Sequence, residues 1–86
     1  MRIRGKFEEE VIGDDFIMVS MDTNVFTGFI RANKTGAFIF NCLKEGVSEE
    51  EIYVKLSQRY NVSESESKRH TKKIIQLLKQ NNLLEE

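Results

Sequence analysis

The side chains able to do covalent or metal chemistry are few and scattered. His70 is the sole histidine and Cys42 the sole cysteine, and the periodicity described below puts them on different helices. A zinc site needs three or four such ligands, so neither residue is read as one. His70 is expected on a helix rim and Cys42 as a small buried hydrophobe. Asp14-Asp15 is an adjacent acid pair, but beside Gly13 it reads as turn chemistry. There is no glycine-rich phosphate loop and no nucleophile elbow. Asn33-Lys34-Thr35 and Asn61-Val62-Ser63 fit the glycosylation sequon. The segment MRIRGKFEEE lacks the apolar run of a secretory signal, so both are read as caps and turns. The densest chemistry is cationic: Lys68, Arg69, Lys72, Lys73 and Lys79, with no acid between residues 68 and 79.

Length and composition bound what these groups can do. The chain has 86 residues, enough for one domain, expected over 1–86, with a modest core. A composition 40% hydrophobic and 31% charged is that of a globular protein. The net charge of −1 gives no overall attraction to nucleic acid or membrane. No apolar run approaches the roughly 20 residues that cross a bilayer. A lone cysteine forms no internal disulfide, and a reducing cytoplasm is the expected compartment.

The stretch Val25–Gly46, VFTGFIRANKTGAFIFNCLKEG, is the centre of the pattern. It runs from β-favouring residues into a helix, with Asn33 placed as an N-cap. Phe38, Ile39, Phe40, Cys42 and Leu43 make that helix apolar almost all round, as a central buried helix is. Before it, Phe7–Ile12 and Phe16–Met21 read as strands around the turn Gly13-Asp14-Asp15. Val25–Ala32 reads as a third strand after Asp22-Thr23-Asn24. Short connections predict an antiparallel meander. The first strand, with Glu8, Glu9 and Glu10, suits a protected edge, whereas the third carries no charge before Arg31 and leaves its edge unguarded. Gly28 marks either a bulge or a close approach of another backbone.

Three helices follow. The first spans about 34–44 and stops at Gly46, a left-handed C-terminal residue. Ser48 and Ser63 each open a capping box, starting helices over about 49–60 and 64–81. Ile52, Leu56 and Tyr60 face the core from the second. The predicted fold class is α+β, winged-helix-like: a three-stranded antiparallel sheet followed by three helices. On the third helix, Leu77, Ile74, Leu78 and Ile75 cover an arc of about 160° at 100° per residue. Ser67, His70 and Thr71 fall in or at the rim of that arc, and the cations occupy the remainder. An arc wider than the ~100° stripe that packing requires leaves apolar rim for a ligand beside the third strand. The same arc also fits a wide core face on a small domain.

The run Asn33-Lys34-Thr35-Gly36-Ala37-Phe38-Ile39-Phe40-Asn41-Cys42-Leu43-Lys44-Glu45-Gly46, with Val47-Ser48-Glu49-Glu50-Glu51-Ile52, Arg59-Tyr60-Asn61-Val62 and Leu83-Leu84, resembles the PqqD-like family over nearly the whole chain. Ala32 and Phe40 depart from it, since a larger apolar residue and a tryptophan are usual there. The resemblance implies a non-catalytic chaperone, without a cofactor, that binds the leader of a ribosomally made precursor peptide. It also implies a partner modifying enzyme, often a radical S-adenosylmethionine enzyme. The leader would add as a strand to the third strand and fill the groove beside the third helix, as in β-augmentation. The expected peptide-binding residues are Val25, Thr27, Gly28, Phe29, Ile30 and Arg31 on the strand. On the helix they are Lys68, Thr71, Lys72, Ile75 and Lys79. The lysines suit an acidic leader, giving on-rate and register more than affinity.

Two other readings remain open. A basic third helix after a turn is the recognition element of a DNA-binding winged helix. The pI of about 5.9, and Glu64 and Glu66 at the helix start, argue against it. Alternatively, the same open edge could pair with itself and make a homodimeric assembly subunit.

Overall fold

The hairpin at the start of the sheet is set by Gly13. In the computed structural model, which describes residues 1–85, Gly13 takes φ +62°. That is the positive φ required at the first central position of a tight two-residue hairpin turn. The turn joins strands β2 (Phe7–Ile12) and β3 (Asp15–Ser20), paired antiparallel from Phe7↔Ser20 to Ile12↔Asp15. Strand β4 (Phe29–Ala32) pairs on the other side of β3 from Phe16↔Ala32 to Val19↔Phe29, so the order is β2-β3-β4.

The strand expected over Val25–Ala32 is therefore half as long as its residue types suggest. The Asp22 carbonyl accepts from both Val25 N and Phe26 N at 3.1 Å, and the Asp22 side chain accepts from Asn24 N at 3.1 Å. The Ser20 hydroxyl donates to the Phe26 carbonyl at 2.6 Å. These local bonds hold Val25–Thr27 in a turn that drops the Phe26 ring onto Phe7, 6.2 Å between centroids. Gly28, at φ +123°, then redirects the chain into β4. Burial of Phe26 and the acceptors of Ser20 and Asp22 outweigh a β-propensity that is weak and context-dependent.

The helices follow their caps. Helix α1 (Lys34–Lys44) starts where the Asn33 side chain accepts from Gly36 N at 2.8 Å. It ends in a left-handed Gly46, with Val47 N donating to the Cys42 carbonyl at 3.0 Å. Helices α2 (Glu49–Tyr60) and α3 (Glu64–Gln80) are capped by Ser48 and Ser63, which accept from Glu51 N and Glu66 N at 3.3 and 3.2 Å. The fold is α+β and winged-helix-like, a three-stranded antiparallel sheet followed by three helices.

Helix α1 is the centre of the core. Ile39, Phe40 and Leu43 are shut off from solvent together with Met18, Ile52, Leu56, Leu78 and Leu83. Phe40 meets Phe7 edge-on, with ring centroids 5.3 Å apart. A second sheet joins the two ends of the described chain. Strand β1 (Arg2–Ile3) pairs with β5 (Leu84–Glu85), and Arg4 N donates to the Leu83 carbonyl at 2.8 Å. Two-residue strands carry no periodicity, so this pairing is not legible in the sequence. No helix among the described residues is long and apolar enough to cross a membrane.

Phe40→Ala should cost about 3–5 kcal/mol and Asn33→Ala about 1 kcal/mol, both read as a drop in the urea unfolding midpoint. Equal costs would contradict the central place of α1's buried face.

Candidate functional site

Antiparallel pairing alternates the direction of backbone polar groups. Ser20 N donates to the Gly28 carbonyl at 3.0 Å, which sets the phase. In the same register Met18↔Ile30 and Phe16↔Ala32 are the bonded pairs. Phe29 and Arg31 accordingly turn their N–H and C=O away from β3. No further strand lies there among the described residues, so β4 offers an unpaired ladder at these two positions. The Arg31 side chain bends back to Asp15 across the sheet at 2.6 Å, both partners being exposed. The hydrogen bond to Asp15, then its charge, hold the guanidinium more firmly protonated than usual.

Beside this edge a groove of about 470 Å³ runs between the end of β4, the start of α1 and one face of α3. Ala32, Gly36, Ile39 and Ile74 line its depth, and Arg31, His70, Lys73, Leu77 and Gln80 its rim. Gly36 allows the closeness of the three elements. A Cβ there would stand 3.1 Å from the Ala32 Cβ and 3.3 Å from the Ile74 Cδ1. Among the described residues no carboxylate lines the groove, and the first turn of α1 holds no acid. The positive end of α1 therefore adds to Lys73. The arrangement sets unpaired backbone groups on β4 beside apolar surface at Ile74 and Leu77 and a cation at Lys73.

The residues expected from α3 are not the ones that line this groove. Thr71 and Ile75 are in the core, 0% and 6% exposed. Lys68 and Lys72 line a separate groove between α2 and α3, with Tyr53, Val54 and Glu64. There Lys68 pairs with Glu64 at 3.4 Å and lies over the Tyr53 ring. Lys79 is exposed and is not part of the β4 groove. On the strand side, Ile30 is buried, and Val25 and Thr27 sit in the turn before β4. The physical reason on α3 is rotation. Ser67 and Thr71 are both fully buried, so the face toward the core is centred on them and on Ile75 and Leu78. That turns His70, Lys73, Ile74 and Leu77 toward β4 and sends Lys68 and Lys72 toward α2. Reading Ser67 and Thr71 as small side chains that permit close helix contact, rather than as polar rim, places His70, Lys73, Ile74 and Leu77 on the groove side.

The remaining reactive groups are isolated. Among the described residues no three His, Cys, Asp or Glu side chains gather to hold a metal. Burial, the largest influence, pushes the Cys42 thiol up; Lys55 opposes this and Glu45 adds to it. The Tyr53 hydroxyl donates to the Glu49 carboxylate. Partial burial, then that bond, push it up to about 12.

A family model described as coenzyme PQQ synthesis protein D (PqqD) matches residues 15–84, from the start of β3 into β5. The span holds the edge strand, the groove and all three helices. The solved structure described as "TbiB1 in Complex with the TbiA(beta) Leader Peptide" is similar over 99% of this chain and 95% of that chain. Its TM-score is 0.75 and its identity 24%, a likeness of fold. No curated protein matches.

Because its thiolate is suppressed, Cys42 should resist iodoacetamide at neutral pH in the folded chain and label rapidly once urea unfolds it. Mass spectrometry reads the difference, and equal labelling rates would contradict the burial described.

Proposed function

The chain belongs to the family of coenzyme PQQ synthesis protein D (PqqD), and on that premise we propose that it is a non-catalytic, peptide-binding chaperone. Its guest is the leader of a ribosomally made precursor peptide, bound by strand addition and presented to a modifying enzyme. The observation that carries the reading is the outward-facing ladder of Phe29 and Arg31 beside the groove of Ile74, Leu77 and Lys73. In β-augmentation the ladder supplies affinity and the side-chain pockets supply selection. The structure that resembles this chain is described as holding a leader peptide, which supports the same use of the fold.

The charge of the groove points to a guest that is acidic as well as apolar. Strand residues Phe29 and Arg31 contribute backbone groups, while Thr27, Gly28 and Val25 precede them as the turn that leaves the edge open. Ile30 braces the strand from the core side. We place Lys68, Thr71, Lys72, Ile75 and Lys79 outside the contact and His70, Lys73, Ile74 and Leu77 within it. A radical S-adenosylmethionine enzyme in the cytoplasm is the partner the family resemblance favours. DNA binding has less support, because Lys68 is paired to the very Glu64 that opens α3.

The test is fluorescence anisotropy with the labelled leader of a short precursor frame beside this gene. The expected dissociation constant is on the order of micromolar or tighter. Arg31→Pro removes an outward N–H, which an edge strand tolerates, and should weaken binding more than Arg31→Ala does. Leu77→Asp should weaken it by about tenfold or more, through a charge set on apolar surface. Parent-like binding by both Arg31→Pro and Leu77→Asp would falsify the groove. Light scattering that reports a dimer dissociated by peptide would mean the edge also pairs with itself.

A further inference from the structure

Among the described residues no element covers the face of the sheet turned away from α1. The register lays it out in rows across the three strands. Glu8, Val19 and Phe29 form one row, and Glu10, Ile17 and Arg31 the next. Ile12 stands beside Asp15 in the third. Phe29 and Ile12 are 60% and 63% exposed, and Met21 at the end of β3 is 55% exposed. Alternation is the cause: Met18 and Ile30 occupy the core face, so their neighbours must point outward. Yet those neighbours are Ile17, Val19 and Phe29, where a solvated sheet face ordinarily carries polar side chains. An apolar cluster left open and rimmed with charge marks an interaction surface.

The rim is net anionic. Asp15 neutralises Arg31 at 2.6 Å, and Lys6, opposite Met21 at the far end of the face, is the other cation in these rows. No ion pair among the described residues engages Glu8 or Glu10. We infer that this outer face docks a protein surface with an apolar centre and a rim of lysine and arginine, the surface expected on the enzyme that acts on the bound peptide. The inference rests on the peptide-binding reading above and extends it. A guest strand on β4 places alternate side chains beside Phe29 and Arg31 on this same face. A protein seated there therefore lies against the guest as well as the chaperone. A second copy of the chain is the wrong occupant, since it would bring Glu8 and Glu10 against Glu8 and Glu10. The two sides of β4 are thus opposite in sign: the groove is cationic and takes an acidic segment, while the outer face is anionic and takes a basic surface.

The experiment is an amide NMR titration of the nitrogen-15-labelled full chain with two synthetic probes. One is an amphipathic helical peptide of lysine and leucine, and the other has glutamate in place of lysine. The basic probe should move the amides of Ile17, Val19 and Phe29, and Glu8→Gln with Glu10→Gln should weaken it by about tenfold. Both glutamates are exposed, and an unchanged melting temperature confirms that the double variant is folded. Leader binding at the groove is measured on the same double variant and should not change. The inference is overturned if the basic probe leaves the outer face unmoved, if the double variant binds it like the parent, or if the acidic probe moves the outer face equally. It is also overturned if those amides shift with protein concentration alone, because the face then pairs with a second copy. Loss of leader binding by the parent would instead strike the earlier reading, independently of these outcomes.

Discussion

The phase of the β3–β4 pairing governs everything else in the molecule. The bond from Ser20 N to the Gly28 carbonyl decides which residues of β4 look inward along the ladder and which look out. Met18 and Ile30 thereby fall on the core face under α1, and Phe29 and Arg31 keep their backbone groups for the open edge. A slip of β4 by one residue would expose Ile30, turn Arg31 toward the core, and hand the free ladder to different positions. Edge and core are not independent choices, because a period of two fixes both at once. The turn before β4 exists to hold that phase, with Ser20 and Asp22 tying down Phe26 and Gly28 supplying the backbone reversal.

The same dependence explains which parts of the fold were legible in the sequence. Helix ends follow from local chemistry, a cap oxygen and the amide it accepts from, so Asn33, Ser48, Ser63 and Gly46 could be read one at a time. The hairpin at Gly13 is equally local. The length of β4 is not, because Val25 and Phe26 favour strands and only their tertiary contacts with Gly5 and Phe7 show why they leave one. The pairing of Arg2–Ile3 with Leu84–Glu85 depends on residues more than eighty positions apart, beyond any local pattern. The family resemblance anticipated the edge strand and the groove beside α3, as a general place rather than as individual contacts.

The α3 residues expected beside β4 and those that line the groove there differ by the rotation of one helix. Hydropathy ranks Ser67 and Thr71 as polar, which places the apolar face of α3 around Ile74 and Leu77. The packed helix instead buries Ser67 and Thr71 completely, their hydroxyl oxygens without a hydrogen-bond partner among the described residues. A buried hydroxyl without a partner is costly, so close approach of α3 to its neighbours must offset it. Small side chains achieve that approach here, as Gly36 does where α1 meets Ile74. The consequence reaches the surface. Turning the core-facing side toward Thr71 lifts Ile74 and Leu77 to the β4 groove and carries Lys68 and Lys72 round to α2.

A net charge of −1 conceals how the charges are distributed. The cation that counts on the groove side is Lys73, with the positive end of α1 behind it, because Asp15 already engages Arg31. The glutamates that count, Glu8 and Glu10, lie on the opposite face two strands away. Exposed charges act over about a Debye length, roughly 8 Å at physiological salt, so each face presents its own sign to whatever approaches it. The Arg31–Asp15 pair stands between them, at the point where the two fields would otherwise mix. A strand of four residues thus lies between two surfaces of opposite charge, with its own edge left unpaired.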